Sequence, residues 1–118
     1  MPVKGATERI RQAVLAWQGV ESAPHRFGGI EYRVGRREIG HMHGDTLVDI
    51  PFPTRVRDEI VAAGAAKPHH ILPETGWVSF YVREDPDIER AITLLKRSYE
   101  LAIQQRSTRR PDDTKTGD

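Results

Sequence analysis

The stretch IEYRVGRREIGHMHGDTLVDI, Ile30 to Ile50, decides the fold. Ile30, Tyr32 and Val34 alternate with Glu31 and Arg33, the pattern of a half-buried strand. Gly35-Arg36 is short enough for a two-residue hairpin loop, and Arg37 to His43 forms a second strand. Gly44-Asp45 reads as another two-residue turn, of type II′ because glycine holds its first position. Thr46 to Ile50 then completes a three-stranded antiparallel meander.

Two-residue turns fix the register. His43 faces Thr46, His41 faces Val48 and Ile39 faces Ile50 across the second turn. Val34 faces Arg37, Tyr32 faces Ile39 and Ile30 faces His41 across the first. Directly opposed residues share a face of the sheet. The core face therefore collects Ile30, Tyr32, Val34, Ile39, Val48 and Ile50, with His41 in its middle and His43 near the tip. The other face carries Glu31, Arg33, Glu38, Gly40, Met42, Leu47 and Asp49 and is expected to face solvent.

Helical periodicity flanks the meander. Before it, Thr7 is placed to cap a helix bearing Ile10, Ala13, Val14 and Trp17, with Gly19 as its stop and a loop from Glu21 to Gly29. After it, Pro51-Phe52-Pro53-Thr54 breaks the sheet and starts a helix with Val56, Ile60 and Ala63 on one face, ended by Gly64. Ala65 to Gly76 reads as a long loop, and Trp77 to Arg83 as a strand with Val78, Phe80 and Val82 on one side. Asp85-Pro86 supplies an N-cap and a first-turn proline for a final helix with Ile88, Ile92, Leu95, Tyr99 and Ala102 in one stripe. The expected fold is a single α+β domain over residues 1–105: a mainly antiparallel sheet, the meander plus one later strand, packed against about three helices. Residues 106–118, without an apolar side chain, read as a disordered polar tail.

Composition narrows the function classes. The chain has 118 residues and no cysteine, which excludes disulfide scaffolds, thiol nucleophiles and Cys-based metal sites. Lys and Arg number 18 against 17 Asp and Glu. Setting aside Arg106, Arg109, Arg110 and Lys115 with Asp112, Asp113 and Asp118 leaves the body neutral, at 14 charges of each sign. A neutral body argues against nucleic acid, whose binders show a basic excess. No apolar run is long enough for a membrane span, and the start shows no signal peptide, so a cytoplasmic location is expected.

Two constellations carry possible chemistry. Glu31 and Asp49 flank Gly40 in the inferred register, so two carboxylates across a bare glycine are placed to hold a cation or divide acid and base roles. The ordinary alternative is an exposed face whose carboxylates pair with Arg33 and its neighbours. His41-Met42-His43 puts two imidazoles on one strand face, with His69-His70 in a loop able to reach them and Asp45 or Asp49 nearby. Here the ordinary alternative is a hydrogen-bonded core histidine at position 41. Arg26, Arg33, Arg36 and Arg37 form a basic wing tempered by Glu31 and Glu38. Ser79 lacks the surroundings of a hydrolase nucleophile elbow, and no phosphate-binding glycine loop is present.

The run Arg37-Glu38-Ile39-Gly40-His41-Met42-His43-Gly44, with Val48-Asp49-Ile50-Pro51-Phe52, Ala65-Ala66-Lys67-Pro68-His69-His70, Gly76-Trp77-Val78-Ser79 and Leu94-Leu95-Lys96-Arg97-Ser98-Tyr99, resembles the small bacterial "luciferase domain" proteins. The resemblance extends over most of residues 8–103. It implies a family of uncharacterised activity, and neither luciferin oxidation nor a flavin site. A looser likeness in element order links the chain to YjbR-type, frataxin-like domains.

The reading that follows is a domain binding a small molecule or a protein, with a pocket where His41, His43, Asp49, His69, His70 and Trp77 meet. No cofactor is expected, no metal ligand is assigned, and catalysis is left open. The alternatives are a metal-assisted, hydrolase-like enzyme using the same histidines with Asp49, and nucleic-acid binding through the Arg36-Arg37 hairpin.

Overall fold

The chain's meander sits inside a larger sheet. A computed structural model describes residues 3–25 and 28–108, with side chains through 104. The strands are β1 (Val20–Pro24), β2 (Ile30–Val34), β3 (Arg37–His43), β4 (Leu47–Pro51), β5 (Lys67–Pro68) and β6 (Trp77–Tyr81). They form one antiparallel sheet in the order β1-β2-β3-β4-β6-β5. The helices are α1 (Ala6–Leu15), α2 (Thr54–Ala62) and α3 (Pro86–Thr108). The architecture is the expected α+β, with β1 and β5 added at the edges. β1 replaces the expected loop from Glu21; it buries only Val20 and ends on Pro24, as an edge strand can. β5 is a two-residue strand inside the expected loop from Ala65 to Gly76.

Helix α3 packs across β2, β3 and β4, α1 lies against α3 and β1, and α2 against β6. Ile88, Ala91, Leu95 and Ala102 of α3 are buried on one face, at spacings of three, four and seven residues. They meet Tyr32, Met42, Val48, Ile50 and Val78 from the sheet. Each fully buried Leu or Ile contributes roughly 1.5–3 kcal/mol. Ala63 is exposed instead of sharing the buried face of α2. α3 opens at Pro86 as expected but continues to Thr108, so residues 106–108 extend the helix. The expected tail otherwise lies outside the described residues.

The register differs from expectation at two points. His43 pairs with Leu47 and His41 with Asp49, so the second connection has three residues, Gly44, Asp45 and Thr46. A distant contact holds it: Thr7 donates its N–H to Asp45 Oδ1 at 2.7 Å and its hydroxyl to the Gly44 carbonyl at 2.7 Å. Thr7 therefore anchors the turn and does not cap α1, whose N-cap is Gly5 without a side-chain hydrogen bond. In the first hairpin, Arg33 pairs with Glu38 but Tyr32 with Gly40, leaving Ile39 as the extra residue of a β-bulge. Gly40 thereby turns toward α3. A Cβ there would lie 2.5 Å from Leu95 Cδ2, so glycine lets the helix approach.

A one-residue slip moves side chains to the opposite face. Gly40 and Met42 exchange places with His41 and His43. Met42 is fully buried in the core, and both histidines stand on the face away from the helices, beside Asp49. The expected core histidine among Ile30, Val48 and Ile39 is not found. Among the described residues, no helix is long and apolar enough to cross a membrane.

Candidate functional site

The corrected register lines up Glu31, His41, Asp49 and Ser79 on neighbouring strands, with His43 two residues farther along β3. Asp49 is at the centre, fully buried on β4. Around its Oδ2 stand His43 Nε2 at 3.1 Å, His70 Nε2 at 3.2 Å, and His41 Nε2 and His69 Nε2, each at 3.3 Å. Its Oδ1 accepts the Ser79 hydroxyl at 2.8 Å. Ser79 Oγ in turn accepts the His70 backbone N–H at 3.2 Å, tying the loop to the carboxylate.

His41 is held on every side. Its Nδ1 lies 2.6 Å from Glu38 Oε2, its ring stacks on His25 at 4.0 Å, and Trp77 lies tilted against it at 5.2 Å. The bulge makes the Glu38 contact possible, since it keeps Glu38 and His41 on one face despite their odd separation. His25 Nδ1 also lies 3.0 Å from Glu31 Oε1, and the other Glu31 oxygen pairs with Arg33.

The loop from His69 to Gly76 brings the remaining imidazoles. His69 Nδ1 accepts the backbone N–H groups of Ile71 at 3.1 Å and Leu72 at 3.0 Å. At the loop's far end Phe52 donates its N–H to the Gly76 carbonyl at 3.0 Å, and a Cβ on Gly76 would lie 2.0 Å from the Phe52 carbonyl oxygen. Glycine at 76 thus lets the loop close over the end of β4. His43 and His70 keep about a third of their side chains in solvent, 32% each, whereas His41 and His69 keep 10%.

The electrostatics follow from this crowding. Burial opposes a charge on His41, but hydrogen bonds to Asp49 and Glu38 outweigh it and raise its pKa from 6.5 to about 9. Burial likewise opposes the Asp49 carboxylate, yet its bonds to His41, Ser79 and His70 hold it well below the usual range. For His69 burial prevails over the pull of Asp49, and its pKa is lowered.

One carboxylate oxygen facing four imidazole nitrogens is over-subscribed. A carboxylate has about four lone-pair sites over both oxygens, and Ser79 already uses one. Two sets of ligand atoms share Asp49, each within 4.8 Å of one another: His41, His43 and Asp49, and Asp49, His69 and His70. A third set, His25, Glu38 and His41, adjoins them. Ligand atoms around a tetrahedral ion with bonds near 2.1 Å stand about 3.4 Å apart. The contacts to Oδ2 match that spacing.

All the histidines singled out in the sequence, with Asp49, meet at one point, and Trp77 forms its wall beside His41 and His69. Glu31 and Asp49 do share a face, but His41 stands between them in place of Gly40. Sequence reasoning missed His25, Glu38 and Ser79. Glu38 and Ser79 were findable only through the true register; His25 had no periodic signal. In the basic wing, Arg33 is taken up by Glu31 and the Arg36 carbonyl, and Arg26 lies outside the described residues.

A family model described as the luciferase domain matches residues 36–98, more than half of the chain. The chain belongs to that family. The match includes Glu38, His41, His43, Asp49, His69, His70, Trp77 and Ser79, and stops short of His25. It is narrower than the span of the sequence resemblance, and it gives no support to the YjbR-type likeness. No curated protein and no solved structure matches the chain significantly.

Proposed function

With membership of the luciferase domain family as the premise, we propose that this domain binds a divalent transition-metal ion through His41 Nε2, His43 Nε2 and the Asp49 carboxylate. The supporting observation is the convergence of imidazole nitrogens at 3.1–3.3 Å on one buried carboxylate oxygen. As a purely structural arrangement it crowds four imidazole nitrogens on one oxygen of a carboxylate whose other oxygen already accepts from Ser79. An ion held among them would give the nitrogens a common partner. This replaces the expectation of a site without assigned metal ligands.

The surroundings suit the ion. Glu38 accepts from His41 Nδ1, which keeps a proton on that nitrogen and leaves Nε2 as the one an ion would deprotonate, and Ser79 steadies the carboxylate. Two imidazoles and one carboxylate leave coordination positions open for water or a ligand oxygen. His43 and His70 border the solvent-facing side, so a small molecule has access there. A metal-bound water of lowered pKa gives such a centre hydrolytic capacity. Ser79 is not a nucleophile in this scheme, because its hydroxyl proton is committed to buried Asp49.

Elemental analysis of purified protein, with melting curves in added zinc or nickel, tests the proposal. One bound ion per chain and a melting point raised by mass action are expected, the response being lost in His41→Gln/His43→Gln. Metal-free protein with unmoved melting curves contradicts it.

A further inference from the structure

We infer that His69, although its Nε2 lies as close to Asp49 as that of His41, is withheld from the metal and serves as a fixed N–H donor that positions the Asp49 carboxylate. The inference rests on the metal reading above and divides the imidazoles that reading brings together.

The observation is at the other ring nitrogen. His69 Nδ1 receives two backbone N–H groups, from Ile71 at 3.1 Å and Leu72 at 3.0 Å. A nitrogen facing two donors must present its lone pair, so a neutral ring carries its proton on Nε2. That nitrogen stands 3.3 Å from Asp49 Oδ2, within reach of the carboxylate. Coordination through Nε2 would require moving the proton to Nδ1, against two amide hydrogens, or removing it altogether. The amides belong to the chain immediately following, so the ring cannot turn over without breaking the turn.

His41 is its mirror image. A carboxylate, Glu38 Oε2, stands 2.6 Å from its Nδ1, so the neutral ring carries its proton there and presents a lone pair at Nε2. Two rings at the same distance from one oxygen are thus set by their outer partners to opposite tautomers. One is prepared to coordinate and the other to donate. His69 then holds the Asp49 oxygen in place.

Nitrogen-15 NMR of the histidine rings in the full chain, at a pH where they are neutral, with and without one equivalent of zinc, reads this directly. His69 is expected to keep its proton on Nε2 in both states, while zinc shifts the His41 Nε2 resonance. In parallel, cobalt-loaded His69→Gln, which retains an N–H donor, should keep the ligand-field spectrum of the wild type, whereas His69→Ala should keep that spectrum with affinity lowered by about 10–100-fold, as for removal of an outer-shell partner. A His69 proton found on Nδ1, or a His69→Gln spectrum showing one nitrogen ligand fewer, would overturn the inference while leaving the metal site intact. Absence of zinc binding by the wild type would remove the metal reading and, with it, the inferred division of the imidazoles.

Discussion

The two faces of the sheet are built on opposite terms. Under α3, Tyr32, Met42, Val48, Ile50 and Val78 are apolar-packed and fully buried, and the face is stabilised by area removed from water. On the other face, Asp49 and His41 of the strands and His69 of the loop are buried. Burying polar groups costs free energy unless each is satisfied, and an oxygen shared by four imidazoles is not an economical way to satisfy them. The first face explains why the chain folds. The second is explained by what it holds.

The largest effect expected from separating the faces is on the helix side. Leu95→Ala should cost about 3 kcal/mol, through lost burial and a cavity over Gly40, and leave the metal-induced rise in melting point in place. Loss of that response together with stability would mean that the faces are coupled. On the open side, Asp49→Asn should abolish the metal response. It should cost about 1–3 kcal/mol in metal-free protein by weakening the Ser79 and His41 bonds. A retained response in a folded Asp49→Asn variant would place the ion elsewhere.

The pH dependence of metal-free protein sharpens the contrast. His41 has a folded pKa of about 9 against an ordinary 6.5. A raised pKa contributes stability that is fully present below about 6.5 and lost as the pH climbs toward 9. Wild-type protein should therefore lose melting temperature across that window relative to His41→Gln. Parallel curves for the two would show that the Glu38 and Asp49 partners do not hold a charged ring. The smallest effect concerns the turn: Gly44→Val should destabilise by about 1–2 kcal/mol, since Gly44 has φ +61 and a β-branched side chain resists that region. Because a Cβ at Gly44 would meet nothing within 4 Å, an unchanged melting curve would mean that the turn relaxes freely despite its bonds to Thr7.

Much of the helix face was legible in the sequence. Period-two alternation found β2, β3, β4 and β6, and the stripe from Ile88 to Ala102 found α3. The right residues for the site were visible too, as an HxH pair, a loop pair and an Asp, but on the wrong sides of the sheet. Both errors of register came from partners distant in sequence. Thr7 reaches across to Asp45 and draws a third residue into the turn, and Leu95 needs the space that Gly40 leaves. One local signal pointed the right way: a glycine inside a strand suggests a bulge, and the bulge exchanges two histidines for Met42 in the core. β1 and β5 gave no comparable signal, having one buried side chain and none respectively. His25, Glu38 and Ser79 entered the site only once the strands were aligned.

The most direct test of the account is equilibrium dialysis of metal-stripped protein against zinc, run beside a variant carrying His43→Gln. The account predicts one ion per wild-type chain and a large loss of affinity in the variant, whose fold is preserved because His43 is partly exposed and lies outside the core. Equal zinc binding by the two proteins, or none by either, would contradict it.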